Sequence, residues 1–321
     1  MHDLVSIGDI KLDTFILLDK ASGQCELKMP DSKLCLDYGA KISVEVSDTQ
    51  IAGSAPNVAT GLARMGLKTG VISNMGADET YALALKNLKK EKVSTSFIRS
   101  IRSKASASAV VLNYKGEKTI LASYIKSTYK LPSSLRTKWL YLSEMGPGYE
   151  TLYKSVVTQA KKGVHIGFNP GNVQIAEGKP VLFDLIKHTT VLFVNVEEAQ
   201  RLTGDATDDI HRIASNVWAL GPKHLVITDG PKGAYGFDGK TLVHLPIFPG
   251  PRVEATGAGD AFATAFIGAL FHKQTPTEAL RWGSVNSTSV VGSVGPTTGL
   301  LSVNQIKAKL RGKASFKPKA L

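Results

Sequence analysis

The sequence predicts an α/β protein in which helices cover both faces of a central, mainly parallel β-sheet, with a small separate β-sheet beside it. Two observations support this fold class. Runs of Val, Ile, Leu and Phe alternate with segments of helical periodicity along most of the 321 residues, which is typical of parallel strands buried on both faces. Two other stretches contain short β-type runs separated by turn residues, which indicate the smaller sheet.

The smaller sheet is predicted from two separate stretches of the chain. The strand-like opening LVSIGDIKLDTFILLD is followed by the β-type runs CELKMP, LCLDYG and AKISVEVSD. Further on, SASAVVLNYKGEKTILASYI alternates on both sides of Lys115-Gly116, as a hairpin does. We interpret both stretches, about residues 12–50 and 105–126, as one β-rich flap on a single domain that spans residues 1–321.

The remaining segments alternate between helix and strand. The helix NVATGLARMG ends at Gly66, and the hairpin GAYGF and KTLVHLP turns at Asp238-Gly239. Strands are predicted at TGVISNMG, KWLYLSE, VHIGFNPG, TVLFVN and HLVITDG, and helices at TYALALKNLKKEK, YETLYKSVVTQAKK, VLFDLIKH, VEEAQRLTG, ASNVWALG, the apolar GDAFATAFIGALF and ALRWGSVNSTSVV. Because ligands of such sheets bind at the carboxyl ends of the strands, we expect the chemistry in the loops that follow them.

Composition excludes several classes of protein. Hydrophobic residues make up 43% and charged residues 21%, which is ordinary globular composition, and no apolar run approaches the length of a membrane span. The first residues lack the basic region and cleavage site of a signal peptide, so we expect a cytoplasmic protein. Cys25 and Cys35 form no CxxC pair, and no two histidines have the spacing of a helical zinc site, so neither a disulfide framework nor a zinc enzyme is expected.

A net charge of +12 raises the question of nucleic-acid binding. Much of the excess lies in the last stretch, from Lys307 to Lys319, and in a lysine-rich helix around Glu91. Solvated helix faces and a basic tail explain both groups, and the sequence has no zinc-finger, RNP or basic-zipper motif. A nucleic-acid partner is therefore not expected.

The stretch EATGAGDAF offers an anion site beside a carboxylate. If a helix begins near Gly259, the residues Gly257, Ala258 and Gly259 present backbone N–H groups at its positive end, where a phosphate is stabilised. Asp260 would then be placed to act as general base for a hydroxyl nucleophile. The alternative is that Asp260 merely caps the helix after a flexible turn.

Two further loops suit a nucleotide and its metal. Asn195 and Glu198 end one strand and open a helix, where an amide and a carboxylate could organise hydrated magnesium, although a plain acidic helix start has the same pattern. Thr228, Gly230 and Gly233 form a glycine turn that could hold a nucleotide or simply connect a strand to a hairpin. A Walker A motif and a GxGxxG fingerprint are both lacking, which disfavours P-loop and dinucleotide enzymes.

The substrate side has fewer candidates. Asp13 follows the first strand, and Gly53 and Asn57 precede a helix in AGSAPNVATGLARMG. A carboxylate and an amide together can hold paired hydroxyls, as sugar recognition requires. The alternatives are a surface acid at Asp13 and a helix cap at Asn57.

Taken in order, these motifs resemble the ribokinase-like (PfkB) family of carbohydrate and nucleoside kinases over nearly the whole chain. TGAGDAF, AGSAPNVATGLARMG and Asn195-x-x-Glu198 resemble the family's catalytic, substrate and magnesium motifs. The resemblance implies a three-layer α/β/α fold whose small sheet is a lid, which in several members closes the site or forms a dimer.

The resemblance also assigns roles to these residues. It implies that Asp260 is the catalytic base and that Gly257, Ala258 and Gly259 form the anion hole. It implies substrate contacts from Asp13, Gly53 and Asn57, nucleotide contacts from Thr228, Gly230, Gly233 and Asn286, and magnesium held by Glu198 and, through water, by Asn195. Asn286 lies on a helix that could equally serve only the core.

Three positions depart from the family pattern. Ala52 replaces the first glycine of the substrate motif, and Glu254-Ala255 stand where Asp-Thr is usual, which puts a K⁺ site in doubt. Asn169 lies where many sugar-acid kinases carry arginine, so we expect it near the substrate and expect no carboxylated substrate.

The sequence thus predicts ATP- and Mg²⁺-dependent phosphorylation of a primary hydroxyl of a sugar or nucleoside. It leaves open which sugar or nucleoside is the acceptor. The alternative is a catalytically inactive protein of the same fold, a basic module that binds nucleic acid or a protein partner.

Overall fold

The computed structural model describes residues 1–18, 25–28, 33–114 and 117–321. Its sixteen described strands are β1 (His2–Ile7), β2 (Lys11–Leu17), β3 (Cys25–Lys28), β4 (Lys33–Leu36), β5 (Glu45–Ala52), β6 (Thr69–Gly76), β7 (Ser94–Ile101), β8 (Ala107–Tyr114), β9 (Glu117–Ser123), β10 (Thr137–Leu142), β11 (His165–Phe168), β12 (Val191–Asn195), β13 (His224–Thr228), β14 (Ala234–Phe237), β15 (Leu242–Leu245) and β16 (Lys319–Ala320).

The described helices are α1 (Ser54–Arg64), α2 (Glu79–Lys90), α3 (Glu150–Lys161), α4 (Asn172–Glu177), α5 (Pro180–Lys187), α6 (Val196–Thr203), α7 (Ile210–Trp218), α8 (Ala258–Phe271), α9 (Pro276–Val291) and α10 (Val303–Leu310). A 3₁₀ turn spans Gly230–Lys232. In the described part of the chain, no helix is long and apolar enough to cross a membrane.

Ten strands form the central sheet, in the order β16-β15-β14-β13-β12-β11-β10-β1-β6-β7. The seven strands from β13 to β7 pair in parallel, whereas β14, β15 and β16 continue the sheet in antiparallel pairs. The mainly parallel sheet of the predicted fold class is therefore confirmed. Its carboxyl-terminal edge brings together the loops that follow β1, β10, β11, β12 and β13.

The core lies in two layers, one on each face of this sheet. Successive residues of β1 point to opposite faces, so Val5 joins a cluster with α3, α5, α6 and α7, whereas Leu4 joins a cluster with α1, α8, α9 and α10. Both side chains are fully buried. Burial on both faces explains why the sequence shows continuous apolar runs rather than alternation.

A second sheet has the order β5-β2-β8-β9, and β3 pairs with β4 in a separate hairpin. The parallel pairing of β2 with β8 joins the two stretches that the sequence assigned to one flap. We call β2, β5, β8 and β9 the small sheet. The predicted turn at Lys115-Gly116 lies outside the described residues, and the predicted boundaries of the flap stay a prediction.

Four described elements were not predicted: β7, α4, α10 and the two-residue β16. Strand β7 lies at the edge of the central sheet, where Ile98 is its one buried residue, so its sequence lacks the apolar run of an inner strand. Helix α4 has only six residues, too few to show a helical period.

Candidate active site

Helix α8 begins at the glycine-rich stretch as predicted, and Asp260 is its third residue. The N-cap residue is Gly257, whose φ of 78° is favourable only for glycine and whose Cα lies against Pro296. Asp260 therefore does not cap the helix, and the alternative interpretation of this acid as an N-cap is wrong. Its partly accessible side chain lies in the first turn, at the positive end of the helix dipole.

Asn57 binds Asp260 directly. Its Nδ2 donates a hydrogen bond of 2.8 Å to Asp260 Oδ2, although the two residues are 203 positions apart in the chain. The N-cap of α1 is Gly53, so Asn57 is inside the helix and is not a cap. Burial raises the pKa of Asp260, and the hydrogen bonds from Asn57 and Ser54 oppose that rise.

The backbone amides near Asp260 differ in what they bind. Ala258 N already donates to Ala255 O at 3.2 Å, whereas the N–H groups of Gly257 and Gly259 have no acceptor among the described residues. A Cβ added to Gly259 would meet no atom within 4 Å, so open space lies beside this residue. Two of the three predicted amides, those of Gly257 and Gly259, are thus available to an anion.

Asp13 and Gln50 form a polar pair on the inner face of the small sheet. They are directly opposite each other in the β2–β5 register, so their side chains point to the same side. Asp13 Oδ1 and Gln50 Nε2 are both buried and have no hydrogen-bond partner in the described structure. Buried polar atoms without partners are costly, so this face is suited to a ligand that supplies a donor and an acceptor.

The loop of Gly53 lies against the end of β1. Gly53 has a φ of 123°, and a Cβ there would lie 2.3 Å from Asp9 O. The substrate motif therefore needs glycine at this position so that α1 can start close to the backbone. This contact supports a structural role for Gly53 beside the substrate role that the resemblance implies.

Sequence reasoning missed a charged cluster next to Asp13. Lys11 Nζ lies 2.6 Å from Glu144 Oε2, and Tyr124 donates a hydrogen bond of 2.5 Å to Glu144 Oε1. Burial raises the pKa of Asp13 to about 6; Lys11 opposes the rise and Glu144 adds to it. Glu144 is the second residue after β10, at the carboxyl edge of the sheet, and Lys11 precedes Asp13 by two strand positions; these signals could have identified both residues.

Asn195 and Glu198 cap the start of α6 reciprocally. Glu198 N donates to Asn195 Oδ1 at 2.7 Å, and Asn195 N donates to Glu198 Oε2 at 2.9 Å, which is a capping box. Burial raises the pKa of Glu198. The predicted magnesium pair thus has a structural role as well, and the carboxylate is held at a fixed place.

Asn169 lies beside Glu198. Its Nδ2 donates to Phe193 O at 2.9 Å and lies 3.4 Å from Glu198 Oε2. A cavity of about 90 Å³ is lined by Asn169, Asn195, Glu198, Thr228, Gly259 and their neighbours. Asn169 was predicted at the substrate, but the structure places it with the predicted magnesium residues, because β11 and β12 are adjacent strands that end at the same edge.

The turn predicted for the nucleotide opens onto a larger cavity of about 160 Å³. Thr228, Gly230 and Gly233 line it together with Gly259 and Phe262. Thr228, Gly259 and Phe262 also line the smaller cavity, so the two cavities adjoin at the start of α8. This arrangement suits a nucleotide whose phosphates reach towards Asp260.

Asn286 does not belong to this cavity, and its predicted nucleotide contact is wrong. The residue is fully buried; its Nδ2 donates to Ala261 O at 2.7 Å and its Oδ1 accepts from Leu301 N at 2.9 Å. The amide instead ties α9 to α8, the alternative that the sequence left open. The face of α9 that lines the cavity carries Ser284, Ser287, Thr288 and Val291.

The C-terminal segment packs against the wall of the larger cavity. The ring of Phe316 packs edge-on against Phe248, which lines the cavity, with 5.1 Å between centroids. Arg281 on α9 donates to Phe316 O at 2.5 Å and to Lys313 O at 3.0 Å. The last residues then add β16 to the edge of the central sheet, so part of the basic tail is fixed structure.

A short loop after α9 lies against both the anion site and the small sheet. Gly295 N donates to Glu254 Oε2 at 2.9 Å, and a Cβ at Gly295 would lie 2.8 Å from Gln50 Oε1. Pro296 contacts Gly257, as described above. Arg64 on α1 holds the same loop through a hydrogen bond of 2.6 Å to Thr297 O.

Comparisons with known proteins agree with this geometry. Residues 38–302 match the model of the pfkB family carbohydrate kinases. A ribokinase of Bacillus subtilis (strain 168) is 25% identical over 315 residues, covering 97% of this chain and 100% of that protein. A cytidine kinase of Thermococcus kodakarensis is 25% identical over 301 residues, covering 91% of this chain and 96% of that protein.

The fold also resembles that of a solved structure. The structure of Arabidopsis thaliana ribokinase complexed with ribose and ATP has a TM-score of 0.79 to this chain at 21% identity, and the match covers 97% of this chain and 99% of that one. This likeness confirms the predicted fold class, with its large mainly parallel sheet, smaller separate sheet and flanking helices.

Proposed function

The chain belongs to the pfkB family of carbohydrate kinases, and we propose that it transfers a phosphoryl group from ATP to a primary hydroxyl of a sugar or nucleoside, with Asp260 as general base. The protein is a phosphotransferase with an alcohol group as acceptor. What we propose beyond this activity is which residues react and which kind of compound is the acceptor.

The observation that carries the proposal is the position of Asp260 between two binding regions. On one side, Lys11 and Glu144 lie close enough to Asp260 and to Asp13 to affect the pKa of both, and buried polar atoms of Asp13 and Gln50 have no partner in the described structure. On the other side, Gly259 borders the cavity that continues to Thr228. A hydroxyl and a phosphate bound in these regions would meet at the Asp260 carboxylate.

Each chemical role follows from this placement. Asp260 would accept the proton of the acceptor hydroxyl, a contribution to rate of about 10²–10⁴. The free N–H groups of Gly257 and Gly259 would stabilise charge on the phosphoryl group during transfer. Asn57 would orient the Asp260 carboxylate and keep it ionised through its hydrogen bond.

The residues near Glu198 fit a magnesium ion that is held partly by phosphate oxygens. The described residues contain no group of three acidic, His or Cys side chains that could bind a metal by themselves. Glu198 and, through water, Asn195 would therefore hold Mg²⁺ beside the nucleotide phosphates, where it would neutralise their charge. We assign Asn169 to positioning Glu198 rather than to the acceptor.

Sugars and nucleosides are both retained as acceptors. The relatives named ribokinase and cytidine kinase are equally similar to this chain, at 25% identity. The alternative of a catalytically inactive basic module is favoured by no specific observation, whereas the hydrogen bond from Asn57 to Asp260 at the start of α8 supports a catalytic site.

We also propose that the small sheet acts as a lid and that a second copy covers its outer face. Val46 and Leu121 pair with Ile16 and Val110, on the face opposite Asp13, and are 56% and 57% exposed. The two side chains lie on β5 and β9, the outer strands of the small sheet, and the second copy would remove both from water. Light scattering should give a dimer, and Leu121→Lys should give a monomer.

A cytoplasmic location stays a prediction.

The test of the proposed function is an ADP-release screen with ATP and Mg²⁺ over a panel of sugars and nucleosides. We expect acceptor-dependent ADP release in the wild type and a loss of about 10²–10⁴ in Asp260→Asn. The matched control is Asp208→Asn, at an exposed aspartate after α6, which should retain wild-type activity. Near-wild-type turnover in Asp260→Asn would refute the assignment of the base.

A further inference from the structure

We propose that Arg64, the last residue of α1, is a positioning residue for the transfer reaction: it holds the loop after α9 against the anion site. We call residues 292–302, between α9 and α10, the α9–α10 loop. The inference rests on the proposed function, because this loop borders the residues assigned to the phosphoryl group. Arg64 acts through the loop and not through contact with ATP or the acceptor.

The guanidinium group of Arg64 joins three parts of the chain. Its Nη1 donates hydrogen bonds to Thr297 O at 2.6 Å and to Leu300 O at 3.4 Å. Its Nε and Nη2 donate to the two carboxylate oxygens of Glu91, at 2.9 and 2.7 Å. Glu91 is the C-cap residue of α2, and the hydrogen bonds from Arg64 lower its pKa. Because this bidentate pair fixes the plane of the guanidinium group, Nη1 is directed at the loop.

The α9–α10 loop lies directly against the anion site. Pro296 is buried, and a Cβ added at Gly257 would lie 2.5 Å from the Cβ of Pro296. Thr297, which accepts the hydrogen bond from Arg64, is the next residue after Pro296. Arg64 therefore acts one residue away from the contact with Gly257, whose N–H group is proposed to bind the phosphoryl group.

Other contacts hold the loop on either side of the stretch that Arg64 binds. Before it, Gly295 N donates to Glu254 Oε2 at 2.9 Å. After it, Leu301 N donates to Asn286 Oδ1 at 2.9 Å. Residues 297–300 between these points belong to no helix or strand. Loss of Arg64 frees that stretch and leaves both sides attached, so the expected damage is a displaced loop rather than an unfolded protein.

Helix α1 carries both Arg64 and Asn57. The two residues are seven positions apart, which is about two helical turns, so they lie on the same face. Asn57 binds Asp260 on α8, and α1 packs so closely on α8 that a Cβ at Gly61 would lie 2.4 Å from Thr264 Cγ2. One helix therefore positions both the proposed base and the loop beside the anion site. Loss of Arg64 should shift one relative to the other, and a misplacement of about 1 Å can cost about 10²-fold in rate.

Arg64→Met tests this role in the full chain. Methionine keeps a long apolar side chain and removes every donor, so we expect kcat to fall at least about tenfold. The residues that line the larger cavity end at Val291, before the loop, so the KM for ATP should stay within about twofold of the wild-type value. A wild-type kcat, with or without a raised KM for ATP, would overturn the proposal.

Two variants separate positioning from a general loss of stability. Glu91→Gln weakens the ion pair but leaves Nη1 of Arg64 bonded to the loop, so kcat should stay within about twofold although the Tm falls. Arg212→Met on α7 removes an arginine that lies 2.7 Å from Asp205, and it should also retain kcat. If kcat falls as far in Glu91→Gln as in Arg64→Met, the role of Arg64 is merely structural and the proposal is rejected.

A loop variant reaches the same contact from the other side. Pro296→Gly removes the ring from Gly257, and we expect kcat to fall by a factor similar to that of Arg64→Met. The double variant should lose little more than either single one, because both changes act through one contact. Fully additive losses would contradict the proposal. Should Arg64→Met fail to fold, Arg64→Lys takes its place: an ammonium group cannot make the bidentate pair and both loop bonds, so kcat should fall at least about threefold, and a wild-type kcat would count against the proposal.

Hydrogen–deuterium exchange tests the loop without any turnover. Peptides that cover residues 292–302 should exchange at least about tenfold faster in Arg64→Met than in the wild type, and at the wild-type rate in Arg212→Met. Wild-type exchange in Arg64→Met would overturn the inference and leave the kinase assignment intact. A wild-type protein that releases no ADP with any acceptor would instead count against the proposed function, and the exchange rates would still decide whether Arg64 holds the loop.

Discussion

Asn57 and Asp260 share a hydrogen bond of 2.8 Å that joins the start of α1 to the start of α8. Two motifs that lie more than half the chain apart thereby form one site. The bond also gives Asn57 a role that can be measured through the ionisation of its partner, in addition to any contact with the acceptor.

We expect Asn57→Leu to move the acidic limb of the kcat/KM profile to higher pH. The Asn57 hydrogen bond lowers the pKa of Asp260, so its removal raises that pKa, and the base becomes protonated at a higher pH. Initial rates from pH 5 to 9 check this, with Asn87→Leu on the exposed face of α2 as control. An unmoved limb would show that Asn57 does not tune the base.

Two alanine substitutions separate the structural glycine from the chemical one. Gly257→Ala introduces a Cβ about 2.5 Å from Pro296 at a φ of 78°, so we expect a loss of about 1–3 kcal/mol in the free energy of unfolding. Gly259→Ala meets no protein atom, so its stability should stay at the wild-type level, while kcat falls at least about tenfold because the methyl group occupies the phosphoryl space. Thermal unfolding and turnover are measured together; full activity in Gly259→Ala would refute the anion site.

Asp13→Asn should stabilise the ligand-free protein in a pH-dependent way. The folded pKa of about 6 lies above the ordinary 3.8, so ionisation of Asp13 destabilises the folded chain as pH rises through 6. At pH 8 the variant should be more stable by about 1–3 kcal/mol, and the difference should vanish below pH 4. Urea unfolding at both pH values checks this, and a difference that is constant with pH would contradict it. The KM for the acceptor should rise.

Turnover should not depend on K⁺. Gly295 N donates a hydrogen bond to Glu254 Oε2, which joins the loop before α8 to the loop after α9. Glu254 is one of the two residues that put a K⁺ site in doubt, and a protein hydrogen bond joins the loops at this position. Replacing K⁺ by tetramethylammonium at constant ionic strength should change the rate by less than about twofold, whereas Glu254→Ala should lower stability by about 1–3 kcal/mol. Activation of tenfold or more by K⁺ would contradict this prediction.

Phe316→Ala should raise the KM for ATP with little change in kcat. Phe316 packs against Phe248 in the wall of the proposed nucleotide cavity, so its loss should weaken nucleotide binding rather than chemistry. Phe316→Leu should have a smaller effect, and Lys317→Ala, at an exposed neighbour, none. An equal loss of kcat and kcat/KM would show that the segment acts on the reacting groups instead.

The order of the elements could be predicted because each inner strand is buried on both faces and therefore shows a continuous apolar run. The start of α8 was predicted from a local requirement: Gly257 has a positive φ and lies too close to Pro296 for a side chain. Such local requirements can be recognised from residues that are close in the sequence. Strand β7 was not predicted because an edge strand with few buried side chains lacks a continuous apolar run.

The electrostatics of the site could not be predicted in the same way. Lys11 and Glu144 are separated by 133 positions. They come together because Lys11 follows β1 in the chain, Glu144 follows β10, and these two strands pair. Asn286 shows the opposite error: an amide at a plausible position was assigned to a ligand, whereas the packing of α8 on α9 uses both of its polar groups. Whether a polar side chain faces a ligand or the core depends on helix rotation, which the sequence specifies only weakly.

The inner position of β1 in the sheet, between β6 and β10, has a consequence for how the protein is made. Leu4 pairs with Thr69 on one side and with Trp139 on the other, so this part of the sheet forms only after distant parts of the polypeptide have emerged from the ribosome. Until then the apolar side chains of β1 lack their permanent neighbours. Refolding should accordingly be slow, as expected of a topology with high contact order, and nascent chains that stop before β10 should be targets for chaperones.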